Sequence, residues 1–195
     1  MAATDIQPYI PTNPVGIDKA IEALRERLSS LTWLELPLGR GFLFGNETRV
    51  FKEKRSNKQD NDYYVFKPND KYKAQCCFVV GDNRVFNDAR SSLGRTTYRL
   101  EMLVTYNMAR IDNTNNYDNQ EQLIIDVVRL LSQHPVIMSA TGIESVTTGT
   151  SALQGYYESE DNKLLAYPLG AFRVSFPVTI ALGEFCGFTP TINNC

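Results

Sequence analysis

Histidine occurs once in the 195 residues, as His134, and the other residue patterns that announce catalysis are equally scarce. His134 stands at the end of a helical pattern, directly before Pro135. There it reads as a residue near the negative end of the helix dipole. No serine or cysteine sits in a nucleophile-elbow sequence. The run Ser91-Ser92-Leu93-Gly94-Arg95 lacks the glycines and the lysine of a phosphate loop. The acidic run Glu158-Ser159-Glu160-Asp161 lacks the spacing and the glycine of a calcium loop. No CxxC spacing occurs among the four cysteines. Cys76 and Cys77 are neighbours in a predicted strand and point to opposite faces, while Cys186 and Cys195 lie in a C-terminal tail. All four read as free thiols in a reducing compartment. No apolar run approaches the length that crosses a bilayer, and Met1 to Asp5 shows neither the basic nor the apolar region of a signal peptide. The expectation is no enzyme, no catalytic residue, no metal and no cofactor.

What is present is periodicity. Tyr98, Leu100, Met102, Val104, Tyr106 and Met108 alternate with Thr97, Arg99, Glu101, Thr105 and Asn107, Leu103 being the one apolar exception. Phe172, Val174, Phe176, Val178, Ile180 and Leu182 alternate with Arg173, Ser175 and Thr179. A period of two predicts long strands with one face buried and one wet. Pro177 within the second run predicts an edge position or a bulge. Ile17, Ile21, Leu24, Leu28 and Leu31 form a single stripe that predicts a helix from about Val15 to Trp33, with Asn13 as N-cap and Pro14 at its first position. Leu123, Ile124, Val127, Val128 and Leu131 predict a second helix, capped by Asp118 with Glu121 three residues on, and stopped at His134-Pro135.

Between these elements lie shorter signals. Thr48–Phe51 and 62–66 read as arms of a hairpin around a wholly polar loop, 52–61. Cys76 to Val80 reads as a buried strand ending in a turn at Gly81-Asp82-Asn83. Ile143 to Thr147 is a weaker strand, and Gly149 to Asn162 reads as an exposed excursion. Tyr63, Tyr64, Phe66 and Tyr72 are interleaved with Lys67, Lys71 and Lys73, a mix that either stacks bases or forms an ordinary strand edge. With 43% apolar residues a sizeable core is possible, and the pattern gives an α+β fold: a mixed, mainly antiparallel sheet with two helices packed on it. The organisation expected is an extended Pro-rich arm over 1–14, one domain over 15–185, and a tail over 186–195.

The net charge of −2 argues against generic nucleic-acid binding. It conceals two opposed blocks. Residues 49–73 hold eight Lys/Arg against four Asp/Glu, whereas 111–170 hold two against eight.

The order helix, several strands, long strand, helix, final long strand resembles the tail-terminator and neck (collar) ring proteins of tailed bacteriophages, over roughly 15–185. The Asn, Tyr and Asp content is similar to that of crAss-like phage proteins. The resemblance carries no site motif. It implies a structural virion protein, assembled in the host cytoplasm, that forms a ring of six or twelve copies in the neck or tail. The ring would contact portal-proximal and other neck or tail proteins, and no membrane. A ring subunit needs two different complementary faces. Ile6, Tyr9, Ile10, Phe185, Phe188 and Ile192 are candidate inter-subunit contacts. Lys52, Lys54, Arg55 and Lys58 are candidate channel-lining residues, touching genomic DNA transiently and without base readout. The alternative is a bacterial small-molecule-binding or adaptor domain, with an enzyme third.

Overall fold

A computed structural model describes residues 14–51, 63–87, 95–112, 119–134, 142–157, 165 and 167–181. The elements run α1 (Ile17–Leu28), β1 (Leu36–Phe44), β2 (Glu47–Phe51), β3 (Tyr63–Phe66), β4 (Ala74–Asn87), β5 (Arg95–Asn107), α2 (Met108–Ile111), α3 (Asn119–Ser132), β6 (Ser145–Thr148), a 3-10 turn (Gly149–Ala152) and β7 (Leu169–Ala181). The seven strands form one mixed sheet, ordered β3-β2-β1-β4-β5-β7-β6. Only β1 and β4 are parallel; every other pair is antiparallel. The fold is thus the α+β class that the patterning predicts.

β5 and β7 are paired directly, from Arg95↔Ala181 to Asn107↔Leu169. Their even-numbered residues therefore share a face. Leu100, Met102, Val104, Phe172, Val174, Phe176 and Val178 are all fully buried there. Ala74, Cys76 and Phe78 of β4 continue this core. Two helices close it. α1 contributes Ile17, Ala20, Ile21, Leu24 and Leu28, and α3 contributes Leu123, Val127 and Leu131. Each buried Leu or Ile contributes ~2 kcal/mol, against ~0.5 kcal/mol for a helical ion pair such as Glu22–Arg25, so the apolar stripe decides where α1 lies. α1 packs against β1, and Trp33 Nε1 donates to Asp126 Oδ2 on α3 at 3.3 Å.

α1 is shorter than the stripe suggests. Gly16, not Asn13, occupies the N-cap, at φ 56° and with no side-chain hydrogen bond to the helix end. That left-handed geometry suits glycine and bars helical continuation backward through Val15. Asn13 lies outside the described residues, as does Asp118 before α3. At the other end the Ser29 and Ser30 hydroxyls donate to the Glu26 and Arg27 carbonyls, and the chain leaves the helix with Leu31 still packed on the core.

Three further expectations need correction. The turn at Gly81-Asp82-Asn83 does not form. β4 runs on to Asn87, with Val80 opposite Leu100 and Arg84 opposite Tyr98, so a bulge absorbs two extra residues. The second face of the sheet is not simply wet. Leu38, Val50, Phe66, Cys77, Val79, Leu103 and Ala171 form a second core there. The excursion after Gly149 is not fully exposed either. It leaves β6 at Thr148, buries Ala152 and Leu153 on that second face, and bridges Tyr157 to Glu47 of β2. Over 149–157 its polar residues face out and Ala152 and Leu153 cover the sheet, while 158–162 lie outside the described residues.

Other expectations hold. Thr48–Phe51 and Tyr63–Phe66 are antiparallel hairpin arms, Thr48↔Phe66 through Phe51↔Tyr63. Cys76 and Cys77 are free, buried, and belong to opposite cores. Burial raises both thiols, Cys76 to about 12, so both stay protonated. α3 ends before His134-Pro135. Among the described residues, β6 covers β7 only from Phe172 to Ser175, which leaves Pro177 without a strand on that side.

Candidate functional site

The alternation that buries one face of β5 and β7 puts Arg99, Glu101 and Arg173 on the other. Register brings them together, because Glu101 pairs with Ser175 and Leu103 with Arg173. Glu144, just before β6, and Tyr156, on the covering segment, complete a polar cluster. Tyr156 Oη donates to Glu101 Oε2 at 2.5 Å. Arg173 Nε lies 3.3 Å from the same oxygen, an ion pair without hydrogen-bond alignment. The Arg173 guanidinium also sits 5.2 Å from the Tyr156 ring centre. Arg99 Nε is 3.4 Å from Glu144 and 3.7 Å from Glu101. Burial, then the bond to Glu101, pushes the Tyr156 phenol well up, so it remains a donor through neutral pH.

Beside this cluster is a cleft of about 450 Å³, lined by Gly41, Leu43, Gly81, Arg99, Glu101 and Tyr156, among others. Its lining carries Arg40 and Arg99 against Glu101, but Arg40 is paired with Asp18 and Arg99 with Glu101 and Glu144, so it offers little net field for a charged ligand. Glu101 is already occupied by the tyrosine and the arginines, which makes it a fastening point for the covering segment. Tyr156 is held from its backbone side too, where Thr48 Oγ1 donates to its carbonyl at 2.9 Å. We expect Tyr156→Phe to lower stability by about 1.5 kcal/mol, the usual net contribution of a hydrogen bond to a charged group. A denaturant series checks this. An unchanged midpoint would mean that the segment is held by Ala152 and Leu153 alone.

A second polar network ties down the loop after β3. Gln75, 2% exposed, donates to the Lys67 carbonyl and to Thr105 Oγ1, and accepts from Tyr64 Oη. Asn69 donates to the same phenol oxygen. Burial raises the Tyr64 phenol to about 12. Tyr64 is therefore a structural anchor within the fold rather than a free stacking platform. His134 is lowered by burial and by Arg27 of α1, so it is a neutral imidazole where the helix dipole alone would favour its cation.

Among the described residues, no group of three or more His, Cys, Asp or Glu side chains could hold a metal ion. No described helix is long and apolar enough to cross a membrane. The sequence-predicted site residues Lys52, Lys54, Arg55 and Lys58 lie outside the described residues, as do Ile6, Tyr9, Ile10, Phe185, Phe188 and Ile192. What is described of the basic loop is its base: Phe51 and Tyr63 face each other across β2 and β3. Sequence reasoning passed over the Arg99–Glu101–Arg173–Tyr156 cluster. Its signal was charges of opposite sign at mid-strand in two adjacent alternating runs.

No protein-family model matches the chain, and no curated protein matches it.

Proposed function

We propose that the chain is a structural virion protein that forms a ring in the neck or tail of a tailed bacteriophage, between portal and tail and around the DNA channel. The observation that carries the reading is architectural. One helix, a run of strands, a long strand, a second helix and a final long strand fold into one mixed sheet with both helices on the same face. That is the arrangement which the resemblance to tail-terminator and neck proteins implies. Support of a second kind comes from the sheet itself, which is open at β3 and β6 among the described residues and so presents two different edges for a neighbour. The basic loop, outside the described residues, joins β2 to β3. Repeated around a ring, Lys52, Lys54, Arg55 and Lys58 would give the axis a positive potential, weakening as salt rises past physiological strength.

The test is the native mass of the purified protein together with its presence in virions. The expected result is a closed oligomer of six or twelve chains, each of 22.0 kDa. A monomer that retains a small molecule would instead favour a ligand-binding or adaptor domain. The cleft beside Tyr156 is the observation on that side, since its volume is that of an ordinary ligand pocket.

A further inference from the structure

We infer that copies of this chain join edge to edge, β6 of one copy adding to β3 of the next, so that the sheet continues from subunit to subunit. This rests on the ring reading and gives that ring its contact.

The two edges are built to pair. Neither Tyr63-Tyr64-Val65-Phe66 nor Ser145-Val146-Thr147-Thr148 contains a proline, a lysine or any other charge. Both are rich in the aromatic and β-branched residues that strands favour. Sheet edges that stay alone are normally blunted by proline, lysine or other charged residues. Pro177 stands on the stretch of β7 that β6 does not cover among the described residues. Val146, by contrast, is 39% exposed in the middle of β6.

Strand directions agree. β3 runs parallel to β1 and β4, and β6 runs opposite to them, because β6 is antiparallel to β7 and β7 has the direction of β4. A copy rotated about an axis roughly along the strands keeps its strand directions. Its β6 therefore meets the neighbour's β3 antiparallel, the more stable pairing. The contact joins two different edges, so it is heterologous, and it closes into a ring or runs on as a filament according to the rotation.

Charge agrees as well. Among the described residues, the β2–β3 side (47–51 and 63–73) carries Arg49, Lys67, Lys71 and Lys73 against Glu47 and Asp70, a net of +2. The described part of 111–170 carries Arg129 against Asp112, Glu121, Asp126 and Glu144, a net of −3. α1 packs on β1, and the core that both helices cover is built from β4, β5 and β7. Antiparallel pairing of β3 with β6 brings the end of β3, followed by Lys67, against the start of β6, preceded by Glu144, so that opposite charges meet at each junction. The base of the 52–62 loop, at the end of β2 and the start of β3, then lies at one rim of the ring, beside the mouth of the bore.

The experiment uses cysteine pairs in a full chain carrying Cys186→Ser and Cys195→Ser. Val65→Cys is combined in turn with Ser145→Cys, Val146→Cys, Thr147→Cys and Thr148→Cys, and oxidised at native oligomer concentration. At least one double variant should give a ladder of cross-linked multimers in steps of 22.0 kDa on a non-reducing gel. The corresponding single variants should give no ladder alone and dimers only when mixed. Dimers from Val65→Cys or a β6 variant alone would show like edges meeting and overturn the proposal. An intact ring with no cross-link at any position would overturn it while leaving the ring reading standing. A monomer would overturn both. Lys67→Glu with Lys71→Glu serves as a cysteine-free check. Its dissociation constant should rise at least tenfold with the thermal midpoint of the folded chain unchanged, and unchanged association counts against the proposal.

Discussion

Leu24→Asp and Val127→Asp should each abolish cooperative folding. Both side chains are fully buried, one from each helix, in the core over β4, β5 and β7. Leu24→Asp removes ~2 kcal/mol of apolar burial. Either aspartate then puts a carboxyl among Leu, Val, Phe and Met side chains, where an unpaired polar group costs several kcal/mol and an unpaired charge more. The total, about 5 kcal/mol or above, is comparable with the whole stability of an ordinary domain. Ile125→Asp provides the contrast. It lies on the same helix as Val127 but is 52% exposed, and its midpoint should move by no more than about 0.5 kcal/mol. Circular dichroism through a denaturant series measures all three. Wild-type midpoints for the two buried variants would show that the helices do not pack on the sheet.

Gly170→Val should also be destabilising, by less and for a different reason. Gly170 pairs with Tyr106 across β7 and β5, and the Tyr106 ring lies directly over the glycine backbone. A β-carbon at 170 would occupy the space of that ring. The ring cannot simply swing away, because Tyr106 is 6% exposed and packs at a tilt on Phe172, with centroids 6.2 Å apart. Overpacking of this kind costs ~2–3 kcal/mol, whereas the strand preference of valine returns at most ~1 kcal/mol. The net sign is destabilising. A double-mutant cycle isolates the cause: in a Tyr106→Ala background the clash disappears, and Gly170→Val should become neutral or favourable. Equal losses with and without the ring would place the defect in the backbone.

What could be read from the chain depended on how far apart the interacting residues lie. Leu24 with Leu28, or Val127 with Leu131, are one helical turn apart, so their shared face is written in local spacing. The alternation of β5 and β7 is equally local, and so is the hairpin of β2 and β3. The β4 turn failed because Gly81-Asp82-Asn83 has turn chemistry, yet β5 offers a long partner and the surplus residues become a bulge. The covering segment was misread because its glycines, Thr150, Ser151 and Gln154 dominate its composition. Ala152, Leu153, Tyr156 and Tyr157 matter only once there is a second sheet face to cover. The polar cluster hid for the same reason. Arg99, Glu101, Arg173 and Tyr156 come from three distant stretches, and only strand order makes them neighbours.

The sequence by itself determined the kind of each main element and which side of it is buried, because backbone geometry repeats every 3.6 residues in a helix and every two in a strand. The tertiary structure alone decided that β5 and β7 are direct partners, that β1 runs parallel to β4, and that the sheet has a core on both faces. Those choices rest on contacts between residues far apart in the chain. Loop closure must be met before such contacts contribute any stability, and several pairings can satisfy the same alternating pattern. Only the assembled whole selects one: with β7 beside β5, Glu101 gains Arg173, Tyr106 lies over Gly170, and β3 and β6 are left as the two outer strands.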